Sequence, residues 1–422
     1  MIDEFTYRTK CRMCGNHSLV SDLKLSPLPI GDRYVPKEQK SINTETYPLD
    51  VMCCKECGHY QNSGYVNPEL IYPHYLSRPA TTNSVLSRAY QEYAEYLLNN
   101  FSPLNRQPFS IETGSNDGAF SKYMQEKGAK VYCIEPASNL VQQANSNGIP
   151  TKEAYFSQTL ANEIRKEKGP ADFVISNHMF ANVDDSEDFI KGIRDLLTDT
   201  GVWSMQTFYH VDVLQKKLIE NYTHEHLSYF YIKPFQKFCA RFDMELFDVK
   251  RVPAKEGSIR CFVQKRGAPR KIEASVKLMI EYEEKIGIGK LGAQNVISDF
   301  ISRTTEKFHE LLEPAITRGK IVAGFGTSIG ATTFVFNFNL GKLITFFVDD
   351  DPYRHNLISP GFHIPVLSSQ AIYTKKADYV ILLAPLYADI IIRKNQKYLD
   401  EGGMFIKFWP EFKIIEKQLQ PA

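Results

Sequence analysis

The sequence predicts an α/β protein in which a small cysteine-rich module precedes two doubly wound units. Three observations support this fold class. Two C-x-x-C pairs lie near the N-terminus, and a pattern of strand, glycine-rich turn and helix occurs twice afterwards, at ETGSNDGAF and at GKIVAGFGTSIG. A chain of 422 residues is also long enough for two or three domains, each with its own core.

Composition argues against two classes of partner. The 50 basic and 49 acidic side chains leave a net charge of +1, so the chain lacks the strong positive field of a typical nucleic-acid binder. No apolar run approaches the roughly 18 residues of a membrane span. The N-terminal MIDEFTYRTKC lacks the apolar stretch of a secretory signal. We expect a cytoplasmic protein, a monomer or weak dimer, that binds neither nucleic acid nor membrane.

The paired cysteines predict a metal centre. Cys11 and Cys14 lie in CRMCG, and Cys54 and Cys57 lie in CKECG. Four thiolates presented by two tight turns suit a closed tetrahedral zinc site. A redox C-x-x-C motif is the alternative, but two matched pairs favour metal. Cys53 is expected to be a buried strand residue, and the zinc a structural ion without an open coordination position.

The first glycine-rich turn predicts a nucleoside site. The strand FSIE leads into a turn with Gly114 and Gly118, then a helix, then a second strand that ends at Glu135. An acidic residue at that strand end, 17 positions after Gly118, can accept hydrogen bonds from both hydroxyls of a ribose.

Charge around the same turn favours a cationic ligand. Glu112 and Asp117 would repel a pyrophosphate but attract the sulfonium and ammonium groups of S-adenosylmethionine, which we favour over a nicotinamide dinucleotide. A turn without any ligand is a further alternative. The strand ADFVISNHMF ends in Asn177 and His178, which could line the same pocket. For His178, a role in packing is at least as good an interpretation. The residues expected to contact this ligand are Glu112, Gly114, Asn116, Asp117, Gly118, Glu135, Asn177 and His178.

The segment ENYTHEHLSYF contains two histidines around a carboxylate, His224, Glu225 and His226. The residues that follow, Leu227 and Ser228, exclude the H-E-x-x-H pattern of a metalloprotease helix. A histidine oriented by a neighbouring carboxylate can instead act as a general base. On this motif alone, ordinary surface histidines are the safer interpretation.

Taken together, the motifs of the chain resemble those of the sugar C-methyltransferases of bacterial deoxysugar biosynthesis. The resemblance spans nearly all of the chain and depends on CRMCG, CKECGHYQ, ETGSNDGAF, HEHLSYF, EGSIR and VDDDPYRHNLISPGFHIPV. It implies a zinc-binding module, a central Rossmann-like domain that binds S-adenosylmethionine, and a second Rossmann-like domain that binds the substrate. We expect these domains at residues 1–72, 73–268 and 269–422.

The resemblance also implies a reaction. In this family a base removes a proton from the carbon next to a keto group of a nucleotide-linked sugar, and the enolate attacks the sulfonium methyl group. The family's base corresponds to His226, and its motif glutamate to Glu225. Tyr75, in PHYLSR, is a candidate to close the substrate pocket or, equally, an anchor for the linker. The expected catalytic residues are therefore His226, Glu225, His224, Tyr222 and Tyr75.

The chain departs from the family at three places. Thr223 stands where relatives usually have tyrosine, Lys255 and Glu256 begin the segment that reads H-G-G-S in relatives, and Ile329 replaces a common lysine. These differences indicate the same chemistry on a different sugar or acceptor. An O- or N-methyltransferase of a saccharide or small molecule, or a non-catalytic binding protein with this fold, are the alternatives. For the second glycine-rich turn we expect a nucleotide-sugar or purely structural role.

Overall fold

A computed structural model describes residues 4–43, 45–72 and 84–417. Tyr75, one of the expected catalytic residues, lies outside these described residues. The chain divides into two compact units, each built from three segments. The first unit comprises Met1–Val20, Met52–Val213 and Glu225–Ala293, and the second comprises Ser21–Val51, Leu214–His224 and Gln294–Ala422.

Strands and helices alternate through most of the described chain. The strands are β1 (Phe5–Tyr7), β2 (Leu19–Leu23), β3 (Val35–Pro36), β4 (Val51–Cys54), β5 (Tyr60–Asn62), β6 (Gly64–Val66), β7 (Phe109–Thr113), β8 (Lys130–Glu135), β9 (Thr151–Glu153), β10 (Ala171–Asn177), β11 (Leu197–Phe208), β12 (Ser228–Tyr229), β13 (Met244–Val252), β14 (Ser258–Lys265), β15 (Val322–Phe325), β16 (Phe346–Asp349), β17 (Leu357–Ile358), β18 (Val366–Ser368), β19 (Tyr379–Leu382), β20 (Met404–Lys407) and β21 (Lys413–Ile415). The helices are α1 (Pro68–Ile71), α2 (Ser84–Phe101), α3 (Ala119–Glu126), α4 (Ser138–Ser146), α5 (Gln158–Lys168), α6 (Ser186–Leu196), α7 (His210–Lys216), α8 (Ile232–Arg241), α9 (Ala274–Ile286), α10 (Asn295–Thr317), α11 (Ile329–Asn337), α12 (Ala371–Thr374), α13 (Ala388–Lys394) and α14 (Gln396–Asp400). Within residues 4–43, 45–72 and 84–417, no helix is long and apolar enough to cross a membrane.

The first unit is organised by a seven-stranded sheet of order β13-β14-β11-β10-β7-β8-β9. The strands from β7 to β11 are parallel, and β14 runs antiparallel to both of its neighbours. All five residues of β7 are buried, as expected for a strand covered on both faces. The strand order reverses between β7 and β10, and ligands bind at such switch points, outside the carboxyl ends of the strands.

The turn between β7 and α3 requires glycine at two positions. Gly114 and Gly118 have φ values of 64° and 75°, in the left-handed region that side chains with a Cβ rarely adopt. A Cβ at Gly118 would also lie 3.0 Å from Ile149. The glycines therefore allow the chain to turn closely from the strand into the helix, as the sequence predicts.

A smaller sheet has the order β12-β5-β4-β2, and β1 pairs antiparallel with β6. In this sheet β12, which begins two residues after His226, pairs antiparallel with β5, and Ser228 lies opposite Gln61. The segment after the H-E-H motif is thus tied to the strand that follows the second cysteine pair.

The second unit contains a six-stranded sheet of order β18-β16-β15-β19-β20-β21, parallel except for β21. Its core includes Phe325, Val348, Leu382 and Phe405. Two Rossmann-like sheets and a small N-terminal sheet confirm the predicted fold class.

Polar groups of the second glycine-rich turn, between β15 and α11, form hydrogen bonds within the second unit. The Asp349 carboxylate accepts hydrogen bonds from the backbone N–H (2.9 Å) and hydroxyl (2.6 Å) of Thr327, and from the Asp351 N–H (2.9 Å). A Cβ at Gly31 would lie 2.9 Å from Ile329 Cγ2, so the chain at Gly31 packs on the first turn of α11. These contacts favour the structural role for this turn.

Candidate active site and metal centre

The four predicted metal ligands lie together. Their sulfur atoms are all within 4.8 Å of one another; Cys11 Sγ is 3.6 Å from Cys57 Sγ, and Cys14 Sγ is 3.5 Å from Cys54 Sγ. A tetrahedral zinc ion with Zn–S bonds of about 2.3 Å holds its sulfurs about 3.8 Å apart. Number, chemistry and spacing of the donors fit a structural zinc ion. Cys53 is buried in β4 and is not part of the cluster, as predicted.

Arg12, between the first two cysteines, connects this centre to the H-E-H segment. Its buried guanidinium donates to the carbonyl oxygens of Asn62 (3.0 Å) and Leu227 (3.3 Å) and pairs with Asp184 at 2.9 Å. Leu227 is the residue after His226, and its own N–H donates to the Ala181 carbonyl at 2.7 Å. The fold of the cysteine turns therefore fixes the backbone beside His226.

A cavity of about 560 Å³ opens at the carboxyl ends of β7, β8 and β10. This volume is in the range of small-molecule and cofactor sites. All the residues predicted to contact S-adenosylmethionine line it except Gly118, which precedes α3. The position matches the switch point of the sheet.

Glu135 lies at the end of β8 with both oxygens oriented by backbone. Oε2 accepts from the Asn116 N–H at 2.9 Å, and Oε1 accepts from the Ala137 N–H at 3.0 Å. Burial raises the pKa of Glu135, and these two N–H groups oppose that effect. Each oxygen keeps a second lone pair, so the held carboxylate can accept two ribose hydroxyls.

Glu112, at the end of β7, is a buried residue of the cavity wall. It accepts from the Ser121 hydroxyl at 2.6 Å and from the Asn177 amide at 3.2 Å. Burial raises its pKa to about 8, although both hydrogen bonds act in the opposite direction. In the protein alone the carboxyl group is therefore mostly protonated at neutral pH, and a bound cation would favour its ionisation.

Two side-chain oxygens on the cavity wall are buried without a hydrogen-bond partner among the described residues. They are the carbonyl oxygens of Asn177 and Asn182. Leaving such groups unpaired costs about 1–3 kcal/mol each. A polar ligand in the cavity would satisfy them, so the wall fits a nucleoside and an amino-acid moiety.

The candidate base lies beside this cavity. The His226 and His178 rings both contact Phe208, with centroid distances of 5.1 and 5.0 Å. The charge of Glu225 acts on Tyr72 and Lys255, two residues of the cavity wall. The structure thus groups His226, Glu225 and His178 near the predicted donor site.

The other two candidate catalytic residues are held by structural contacts within the second unit. The Tyr222 hydroxyl donates to Gln294 Oε1 at 2.8 Å, and the buried His224 ring bonds to the Tyr47 carbonyl at 3.1 Å through Nε2. A catalytic role for either residue stays a prediction.

Lys255 is a cavity residue that sequence reasoning assigned only as a departure from the family. Its ammonium lies 5.4 Å from the Phe208 ring centroid, and burial of that group lowers its pKa. Lys255 and Glu256 have φ values of 48° and 64°, in the left-handed region. At the position of Glu256 relatives carry glycine, which adopts this conformation more easily. In the sequence, the difference between this segment and the H-G-G-S of relatives was the signal that pointed to Lys255.

Comparisons with known proteins agree with this organisation. Family models match in chain order: "Putative zinc binding domain" over residues 11–72, "Methyltransferase domain" over 85–248 and "C-methyltransferase C-terminal domain" over 253–410. The fold, the cavity and these matches define an S-adenosylmethionine-dependent methyltransferase with a structural zinc module.

A curated relative extends over the whole chain. The C-methyltransferase NovU of Streptomyces niveus is 26% identical over 410 residues, which cover 97% of each protein. This match and the three domain models confirm the resemblance to C-methyltransferases. Among solved structures, a methyltransferase from Clostridium acetobutylicum aligns with 43% of this chain and 92% of its own (10% identity, TM-score 0.35). Magnesium protoporphyrin IX methyltransferase from Synechocystis, with bound SAH, aligns with 44% and 88% (13% identity, TM-score 0.33).

Replacing Glu135 with alanine is expected to weaken S-adenosylmethionine binding roughly a hundred-fold or more. Two hydrogen bonds to a charged group, worth about 1.5–3 kcal/mol each, would be lost. Calorimetric titration measures the dissociation constant. Glu153, exposed on β9 opposite Glu135, provides the matched control, because Glu153→Ala should bind normally. Equal affinity of both variants would exclude Glu135 as the ribose ligand.

Binding of S-adenosylmethionine is expected to release up to one proton near pH 7. Because the pKa of Glu112 is about 8 in the protein alone, a cationic ligand that favours the carboxylate must expel its proton. Affinity should therefore rise between about pH 6 and pH 8 and level off above. Titrations in buffers of different ionisation enthalpy measure the released proton. Glu112→Gln should abolish the buffer dependence, and a buffer-independent enthalpy in the unmodified protein would contradict the assignment.

Proposed function

We propose that the protein methylates a carbon next to the keto group of a nucleotide-linked deoxysugar, with His226 as the base. The main support is the position of His226 and Glu225 beside the cavity, which is lined by the residues expected to bind S-adenosylmethionine. The family match at residues 253–410 and the full-length similarity to NovU support carbon as the acceptor atom.

The chain's residues would act in two steps. His226 takes the proton from the carbon next to the ketone; the C–H electron pair forms a C=C bond, and the carbonyl π pair moves to oxygen. S-adenosylmethionine supplies a methyl group on a positively charged sulfur. The enolate carbon would take this methyl group with its C=C electron pair, the oxygen pair would form the carbonyl group again, and the pair of the broken S–C bond would stay on sulfur. Glu135, by fixing the donor, contributes the alignment on which such a transfer depends.

We further propose the domain boundaries 1–72, 73–268 and 269–422, with the last domain binding the sugar nucleotide. The family matches at 11–72, 85–248 and 253–410 support the three-part order. We also propose a cytoplasmic location, where the four zinc-binding thiols stay reduced. A monomer or weak dimer stays a prediction.

The test is a screen of nucleotide-linked 4-keto-6-deoxysugars with S-adenosylmethionine. Mass spectrometry should show the gain of one methyl group on at least one of them. The departures at Thr223, Lys255 and Glu256 make a panel with several nucleotides and sugars necessary. Methylation of saccharides that lack a keto group, but of none that carries one, would favour an O- or N-methyltransferase instead.

A further inference from the structure

His178 follows β10 in a conformation that its side chain does not favour. Its φ value is 52°, in the left-handed region, and its N–H donates to the Gln206 carbonyl at 2.7 Å. Non-glycine residues in this region cost about 1 kcal/mol or more and concentrate at functional sites. The surroundings therefore hold the His178 ring in its position at the cavity.

The surroundings also determine which ring nitrogen carries the proton. Arg260 Nε donates to Gln206 Oε1, and a guanidinium has no acceptor, so the Gln206 amide nitrogen must face His178. That nitrogen lies 3.1 Å from His178 Nε2 and can only donate. The Nε2 atom is thus the acceptor, and the neutral ring carries its hydrogen on Nδ1.

Packing against adjacent residues holds the hydrogen-bonded chain of Arg260, Gln206 and His178 in place. Gln206 and Arg260 lie opposite each other on β11 and β14, and the Arg260 guanidinium lies 3.7 Å from the centroid of the Tyr93 ring. Asn177 is the register partner of Gln206 on the other side, in β10. Three adjacent strands therefore fix the Gln206 side chain between Arg260 and His178.

The Nδ1–H group of His178 is left without a partner. This buried nitrogen has no hydrogen-bond acceptor among the described residues, and His178 lines the same cavity as Glu135. Burial, and then the charges of Lys255, His226 and Arg260, hold the pKa of His178 well below its ordinary value. The ring is neutral at physiological pH, a state suited to donate a hydrogen bond to a developing oxyanion without transferring its proton.

We propose that His178 is a further catalytic residue: its Nδ1–H donates to the keto oxygen of the acceptor and stabilises the enolate. Gln206 and Arg260 are positioning residues that fix its tautomer. This inference rests on the proposed function, because it assumes a ketone in the cavity. A hydrogen-bond donor and a base therefore both contact the Phe208 ring, at the cavity that His178 lines.

The tautomer is tested without any substrate. A long-range proton–nitrogen correlation spectrum of ¹⁵N-histidine-labelled protein, with His178→Asn to assign the signal, should show a neutral Nδ1–H ring from pH 6 to 8. Gln206→Leu should shift the ring toward a mixture of tautomers. An Nε2–H ring or an imidazolium at pH 7 in the unmodified protein would overturn the inference, whatever the acceptor is.

The catalytic role is tested with the nucleotide-linked keto sugar on which the unmodified protein acts. Loss of an oxyanion donor costs about 10²–10³ in kcat, so we expect that loss in His178→Ala when kcat is measured at saturating S-adenosylmethionine. His178→Asn, which tolerates the backbone and retains an N–H donor, should recover part of kcat. Equal kcat in the two variants, or full kcat in both, would exclude the role. Absence of turnover on every keto sugar would remove the proposed function but leave the tautomer result standing.

Discussion

Replacing Cys54 with serine is expected to release the metal and abolish methyl transfer while S-adenosylmethionine still binds. Structural zinc contributes about 10–16 kcal/mol of apparent binding free energy in small modules, so loss of one thiolate unfolds the cysteine turns. Arg12, between two ligands, then loses its bonds to the Leu227 and Asn62 carbonyls. The backbone beside His226 is freed, whereas the turn at Gly114 and the Glu135 carboxylate belong to a separate sheet.

Three measurements check this expectation: metal content by elemental analysis, S-adenosylmethionine affinity by calorimetry, and methyl transfer. The unmodified protein should contain about one zinc per chain. Cys53→Ser is the matched control, because Cys53 is equally buried and adjacent but lies outside the cluster. It should keep its zinc. If Cys54→Ser retains both zinc and full turnover, the assignment of the metal centre is wrong.

Replacing His226 with alanine is expected to lower kcat about a thousand-fold with little change in S-adenosylmethionine affinity. General-base catalysis contributes about 10²–10⁴ in rate, and His226 lies beside the donor cavity and is not among the residues that line it. The same substitution should stop the exchange of the proton next to the substrate ketone with deuterium from the solvent.

Deuterium exchange separates the base from other roles of this segment. His17, an exposed histidine of the N-terminal module, serves as the control, and His17→Ala should exchange and methylate normally. A His226→Ala protein that still exchanges the proton but does not methylate would assign proton removal to another residue. Normal turnover of His226→Ala would refute the proposed base altogether.

Sequence motifs predicted the features of this structure that form between residues close together in the sequence. Each C-x-x-C pair lies in one turn, and the interval from Gly118 to Glu135 lies within one strand–helix–strand unit. The cysteines form the metal-binding cluster, and Glu135 lines the cavity. Burial, which a local motif does not reveal, raises the pKa of Glu112 to about 8, so the charge of this residue depends on the ligand that binds beside it.

Contacts between distant segments were beyond such reasoning. Arg12 meets Leu227 across 215 positions of sequence, and Gln206 joins His178 to Arg260 across three strands. Neither side chain carries a sequence signal for its partner, since the pairing depends on strand register. The second glycine-rich turn left two roles open in the sequence, and the hydrogen bonds from Thr327 to Asp349, which favour the structural one, likewise form between residues far apart in the chain.

The position of the transferred methyl group distinguishes methylation of carbon from methylation of oxygen or nitrogen. S-adenosylmethionine labelled with ¹³C at the methyl carbon should be incubated with the protein and a nucleotide-linked 4-keto-6-deoxysugar, and the product examined by NMR. We expect a labelled methyl group bonded to the ring carbon next to the ketone, with the hydrogen of that carbon lost. A labelled methyl group on oxygen or nitrogen, with the ring hydrogen retained, would contradict it.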